Sequence, residues 1–95
     1  MDLSAGEALA WGVVNRVAPA GTLAAMVEET AASLAAKSAS ASRTVKALVN
    51  RAFDADLAGG LEMELHLVAA HMRSADAAEG LRAFAEKRKP VFHAL

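Results

Sequence analysis

The chain has 95 residues, a net charge of −1 and no cysteine. This length allows at most one domain, and the near-zero charge gives no attraction to nucleic acid or to a membrane surface. The lack of cysteine excludes disulfides, thiolate metal sites and thiol nucleophiles, and a soluble, cytoplasmic location is expected.

Apolar residues make up 55% of the chain, but alanine is the commonest of them and isoleucine is absent. Because an alanine side chain buries little surface, a self-sufficient core is not expected. Alanine is also the best helix former, and charged residues interleave with it, so we predict an all-α fold of about five helices. No apolar run approaches the ~20 residues of a membrane span, and Asp2 near the start does not fit a targeting signal.

The first predicted helix is short. Ser4 and Glu7 form a capping-box pattern at its start, and Gly12 is suited to the left-handed conformation that ends helices. Residues 13–17 then predict one brief extended segment, too short to form a sheet by itself.

Two further helices follow a turn around Pro19. The second is predicted over residues 22–36, capped by Thr22 or Gly21, because apolar residues recur there at helical spacing. The third begins near Ser38 or Ser40, after a polar break. Its apolar stripe consists of Val45, Leu48, Val49, Ala52 and Phe53.

The fourth helix, residues 56–73 with Asp54 or Asp56 as its cap, has two apolar stripes about 150–160° apart. The first consists of Leu57, Leu61, Leu65, Val68 and Met72, and the second of Met63, Leu67 and Ala70. Two apolar faces need two partners, so a missing part of the chain or another subunit is expected on one of them. Alternatively, the second stripe is simply exposed or the internal core is larger than expected.

The fifth helix is predicted over residues 75–87, with Ser74 and Asp76 at its cap. Its apolar stripe consists of Ala77, Leu81 and Phe84, and Arg82 is placed to pair with Glu79 and Glu86. Pro90 turns the tail off the helix axis. The basic run at residues 87–89 either meets an anion or only complements the dipole of its own helix.

Sites for chemistry are scarce in this sequence. Glu62 and His66 share a helical face, but such a pair is usually a surface seam, so neither a metal site nor an acid–base site is predicted. The glycines form no phosphate loop, and no nucleophile motif is present. We therefore predict no catalytic residue and no metal.

Two motifs, LSAGEALAWGVVNRV near the start and SADAAEGLRAFAEKRKP near the end, resemble the enoyl-CoA hydratase/isomerase (crotonase) superfamily. Residues 3–17, LSAGEALAWGVVNRV, resemble the family stretch (I/L)SAxEAxxxGLVxxV, and Pro19 lies where that family commonly has a proline. Residues 74–90, SADAAEGLRAFAEKRKP, are similar to its closing run (T/S)xDxxEGxxAFxEKRxP. The order of segments matches the carboxyl-terminal third of such a subunit along nearly all of the chain.

The resemblance implies a spiral core of β-β-α repeats, absent from residues 1–95, followed by a helical part that mediates trimer formation. It also implies acyl-CoA thioester substrates from fatty acid metabolism and no separate cofactor. The oxyanion-hole loop and the acidic catalytic residues of the family lie in the core. Residues 1–95 are therefore expected to be a helical oligomerisation and CoA-lid domain, inactive alone, that associates as a trimer or a helix-swapped dimer.

By the same resemblance, Phe84 and Lys87 are similar to positions that approach the adenine and phosphate end of CoA from a neighbouring subunit. The alternative for Phe84 is packing on the inner face of its helix. Two other functions stay open from the residues alone. One is a stand-alone interaction module that binds protein through Met63 and Leu67, and the other is nucleic-acid binding through residues 87–89.

Overall fold

The computed structural model describes residues 2–93 and contains five helices in that range. They are α1 (Ala5–Ala10), α2 (Leu23–Ala35), α3 (Ala39–Asn50), α4 (Leu57–His71) and α5 (Ala75–Ala85). None of the described residues is in a strand, so the all-α prediction is confirmed. None of these helices combines the length and the apolar character needed to cross a bilayer.

The chain divides into two compact units at the bond between Ala32 and Ser33. In the first unit, α1 begins with the predicted capping box. The Ser4 hydroxyl accepts from the Glu7 amide at 3.2 Å, and the Glu7 carboxylate accepts from the Ser4 amide at 2.9 Å. The bond from that amide lowers the pKa of the Glu7 carboxyl, because it stabilises the ionised form.

The end of α1 is a Schellman motif, in which the chain reverses through a left-handed residue. Gly12 has φ 74°, its amide donates to the Leu9 carbonyl at 3.1 Å, and the Val13 amide donates to the Ala8 carbonyl at 2.8 Å. The extended segment predicted at residues 13–17 is not seen, and this stretch is irregular. No described strand offers it a hydrogen-bonding partner, and a lone strand is not stable in water.

A turn before α2 replaces the predicted side-chain cap. The Thr22 hydroxyl donates to the Pro19 carbonyl at 2.7 Å instead of accepting from an α2 amide, and Gly21 takes the left-handed conformation with φ 80°. Further along, Thr30 of α2 accepts from the Arg16 guanidinium at 3.2 Å. This hydrogen bond ties the irregular stretch after α1 to α2.

In the second unit, each helix begins at a residue that the sequence offered as a cap. Ser38 accepts from an α3 amide at 3.2 Å, Asp56 from an α4 amide at 2.8 Å and Ser74 from an α5 amide at 3.1 Å. The third helix ends at Asn50, so the last part of its predicted stripe, including Phe53, lies in the turn beyond it.

Very little of the described chain is buried. The buried residues within residues 2–93 are Ala77, Ala83 and Ser38, and Ala83 is only 1% exposed. Of the predicted apolar stripe of α5, Ala77 is buried, whereas Leu81 and Phe84 are exposed. The buried positions of α5 are the two small side chains of Ala77 and Ala83.

α3 and α4 pack against each other, and the two stripes of α4 differ in their exposure. Met63 and Leu67 of the second stripe are half-buried, although Ala70 is exposed. The first stripe is exposed along its whole length, and Leu65 retains 70% of its accessible surface. Within this chain α4 therefore has one partly covered apolar face and one open face.

Candidate functional site

The end of α5 is the most elaborately built part of the described chain. It is a second Schellman motif: the Lys87 amide donates to the Phe84 carbonyl at 3.2 Å, and the Arg88 amide donates to the Ala83 carbonyl at 3.0 Å. Lys87 has φ 53°, and no other non-glycine residue in the described range has positive φ. Because a side chain in this conformation costs roughly 1–2 kcal/mol, other contacts must hold the turn in place.

Glu79 supplies those contacts from the middle of α5. Its carboxylate accepts a forked pair of hydrogen bonds from the Arg88 guanidinium, at 2.6 and 3.3 Å, and a third from the Val91 amide at 3.1 Å. We call this set, Glu79 with Arg88 and Val91, the tail clamp. The Arg88 hydrogen bonds, followed by that of the Val91 amide, lower the pKa of Glu79 to about 2.

The other charges around the turn are arranged unlike the predicted helix pairs. Arg82 lies 3.6 Å from Glu79, as predicted, but Glu86 pairs at 2.5 Å with Arg88 instead of Arg82. The reversal of the chain at Lys87 brings Arg88 back towards α5. Helical spacing predicts only pairs three or four residues apart, so it could not predict the Glu79–Arg88 pair. Lys87, which lies between Glu86 and Arg88 in the sequence, forms no ion pair with any described residue.

Phe84, the aromatic residue of the predicted site, lies one turn before Lys87 and is 85% exposed. The alternative in which it packs on the inner face of its helix is therefore wrong for this chain. A backbone hydrogen bond joins the two predicted site residues, which places an exposed aromatic ring and an unpaired ammonium on the same turn. A flat apolar ring and a phosphate are the chemical groups that such a pair suits.

A polar cluster links the starts of α3 and α5. One carboxylate oxygen of Asp76 accepts a short hydrogen bond from the Ser38 hydroxyl and a second, of 3.2 Å, from Ser40. Ser38 is itself the α3 cap and is buried. The sequence identified Ser38 and Asp76 separately as cap residues, but no local pattern connects positions 38 residues apart.

Apolar grooves are found among the described residues of the second unit, and two of them border α3. The larger, of about 1080 Å³, is formed by α3, α4 and the turn between them, and includes Val49, Leu57 and Leu61. The smaller, of about 560 Å³, lies along α3 beside Phe92 of the tail and includes Lys37 and Lys46. The open stripe of α4 thus contributes to the larger groove.

Neither a metal-ligand cluster nor the acid–base pair considered from the sequence is assembled among the described residues. Between residues 2 and 93, no three His, Asp or Glu side chains come together as a metal site requires. Glu62 and His66, the pair considered from the sequence, form no ion pair or hydrogen bond with each other.

Comparison with known proteins gives one consistent match. The family model for enoyl-CoA hydratase/isomerase matches residues 1–94. The probable enoyl-CoA hydratase echA8 of Mycobacterium tuberculosis is 42% identical over 90 residues, which are 95% of this chain and 35% of that protein. The putative enoyl-CoA hydratase/isomerase YngF of Bacillus subtilis is 36% identical, with the same coverage of both chains.

Solved structures agree with these sequences. A crystal structure of an enoyl-CoA hydratase from Polaromonas sp. JS666 superposes with a TM-score of 0.91 at 30% identity, over 96% of this chain and 35% of that one. One from Bacillus anthracis gives a TM-score of 0.87 at 34% identity, over 95% and 35%. The chain thus spans about 35% of the length of the relatives it matches.

Proposed function

The chain belongs to the enoyl-CoA hydratase/isomerase family, and from this membership we propose that its helices join the subunits of an acyl-CoA enzyme and form part of the CoA site. Phe84 and Lys87 are the proposed contacts to the adenine and phosphate end of the thioester. The acyl group and the reacting carbon atoms are held elsewhere in that enzyme.

The observation that carries this proposal is the turn at the end of α5. An unpaired ammonium and an aromatic ring that is almost fully exposed lie on one structured turn, and neither stabilises this chain by burial. Apolar rings and unpaired lysines with no internal partner are suited to a ligand or to another subunit.

The open stripe of α4 supports the association role. A row of five large apolar side chains is exposed along the helix, and three of them are Leu57, Leu61 and Leu65. Another copy of the same enzyme subunit is the proposed occupant, in a trimer or a helix-swapped dimer. The alternative of a stand-alone module that binds through Met63 and Leu67 has less support, because these side chains are already half-buried.

A chimera tests the CoA contact. In the echA8 protein of M. tuberculosis, the segment that aligns with this chain is replaced by residues 1–94, and hydration of a crotonyl thioester is measured. We expect Lys87→Ala to raise KM about 10- to 100-fold with kcat nearly unchanged, as for the loss of one charge-assisted hydrogen bond. Lys89→Ala removes the same charge two residues away and serves as the matched control. Equal kinetics for the two variants would contradict a specific role of Lys87.

We expect no hydration of that thioester by the 95-residue chain alone, because no described Asp or Glu is paired with a histidine that could serve as its acid–base partner. Turnover by the purified chain, retained after further purification, would overturn this part of the proposal. Capture of a protein that is not an acyl-CoA enzyme through the Met63 face would favour the interaction module instead.

A further inference from the structure

The tail clamp holds the backbone on both sides of Lys87. On the helix side of Lys87, Glu86 is the C-cap of α5. On the tail side, the forked hydrogen bonds to Glu79 fix the Arg88 side chain. The hydrogen bond from the Val91 amide to the same carboxylate closes the loop beyond Pro90. Lys87 is thus the residue at which a clamped segment reverses direction.

Within the tail clamp, Arg88 pairs with Glu79 and also with Glu86, and no described carboxylate pairs with Lys87. Glu79 is only 17% exposed in its side chain and is occupied by Arg88, whereas Glu86, 52% exposed, occupies the remaining edge of the same guanidinium. A Glu79 carboxylate without its fork would be a free negative charge about one and a half turns before Phe84. It would compete with an incoming phosphate for Lys87.

We infer that Glu79 is a positioning residue for Lys87: by clamping Arg88 it fixes the left-handed turn that presents the Lys87 ammonium to a CoA phosphate. The inference rests on the proposed function. Glu79 does not touch the ligand, and its effect passes through the backbone. An unclamped tail would allow residue 87 to return to a right-handed conformation, which points the lysine in another direction.

Long-range electrostatics and positioning of Lys87 predict opposite effects of Glu79 on the binding of an anion. Removing a negative charge near Lys87 should strengthen the binding of an anion if only long-range electrostatics matter. If the clamp positions the lysine, the same removal should weaken binding. Glu79→Gln and Glu86→Gln make the same change in charge on the same helix end, but only the first removes an acceptor from the fork. The amide oxygen of a glutamine can still accept from Arg88 and from the Val91 amide, whereas its NH2 group cannot accept the second arm of the guanidinium.

The experiment uses the echA8 chimera with free CoA as the probe. Inhibition constants are measured for the unsubstituted chimera, Glu79→Gln, Glu86→Gln and Lys87→Ala. We expect Glu79→Gln to weaken CoA binding about 5-fold with kcat unchanged, in line with the loss of one well-placed hydrogen bond. Glu86→Gln should leave binding unchanged or slightly tighter. Unchanged or tighter binding in Glu79→Gln would overturn the inference.

Two further variants separate the possible failures. Arg88→Lys keeps the positive charge but cannot form the fork, so it should weaken CoA binding to a similar extent. This variant tests the fork from the other side if Glu79→Gln does not fold. If Lys87→Ala binds CoA normally, the proposed CoA contact itself is wrong. If Lys87→Ala binds weakly while Glu79→Gln and Arg88→Lys both bind normally, the contact stands and only the positioning role fails.

Discussion

Lys87 occupies the position at the end of α5 that Gly12 occupies at the end of α1. Both residues have positive φ, 53° and 74° respectively, and both amides donate to the carbonyl three residues earlier. The same hydrogen-bonded turn is therefore built once with the residue that adopts it freely and once with a residue that adopts it at a cost.

This comparison predicts that Lys87→Gly stabilises the chain while removing the proposed phosphate contact. The free energy of unfolding, measured by urea denaturation followed by circular dichroism, should rise by roughly 1 kcal/mol, because the left-handed conformation no longer opposes a side chain. Lys89→Gly is the control, since Lys89 has no positive φ, and it should not stabilise. A Lys87→Gly variant that unfolds more easily would show that the lysine side chain holds the turn.

Removal of the Asp76 carboxylate should destabilise the second unit. Asp76→Ala removes the carboxylate that accepts from Ser38 and Ser40; the two hydroxyls, 3.1 Å apart, can then satisfy only one of their two donors, and we expect a loss of about 1–3 kcal/mol in the same denaturation experiment. Asp54→Ala removes an exposed carboxylate that makes no hydrogen bond through its side chain within the described chain, so it should change stability little. Equal effects of the two substitutions would mean that the cluster contributes nothing.

The tail clamp predicts a specific acid sensitivity. Because the clamp lowers the pKa of Glu79 from its ordinary value of 4.5 to about 2, the ionised carboxylate stabilises the folded chain fully above pH 4.5. This contribution is lost as the pH falls from 4.5 towards 2. Denaturation midpoints measured across that window should fall less steeply for Glu79→Gln than for the unsubstituted chain. Parallel pH profiles would show that the fork is not formed in solution.

The open stripe of α4 predicts which substitution disrupts association without disrupting folding. Leu65 lies on the exposed face, so Leu65→Glu should leave the helix content of the monomer unchanged and change its free energy of unfolding by no more than about 0.5 kcal/mol. It should lower the mass of the associated species in light scattering. Leu67→Glu, on the half-buried face, should instead reduce stability. If Leu65→Glu unfolds the chain and Leu67→Glu does not, the two faces have been assigned the wrong way round.

Helix starts and the number of helices could be predicted from the sequence because both depend on neighbours in the chain. The capping box at Ser4 and Glu7, and the caps at Ser38, Asp56 and Ser74, follow from hydroxyl or carboxylate groups next to unpaired amides. The two apolar stripes of α4 follow in the same way from the helical repeat.

The tail clamp and the Ser38–Asp76 cluster were not predicted, because they depend on where the chain returns in space. The Glu79–Arg88 fork requires the reversal at Lys87, a position where glycine would have been the expected signal. The predicted stripe of α5 includes Ala77, which is buried, but also Leu81 and Phe84, which are exposed, and it omits Ala83, which is the most buried residue of the helix. Apolar periodicity marks a face that can be buried and does not say whether this chain buries it.

Sedimentation equilibrium of the purified 95-residue chain over a range of concentrations tests whether its open apolar faces are sites of association. We predict a mass well above the monomer value of 9.8 kDa that falls on dilution, and a lower mass for Leu65→Glu. A monomer at every concentration, with a single cooperative unfolding transition, would contradict the proposal that these helices are made to be covered by another subunit.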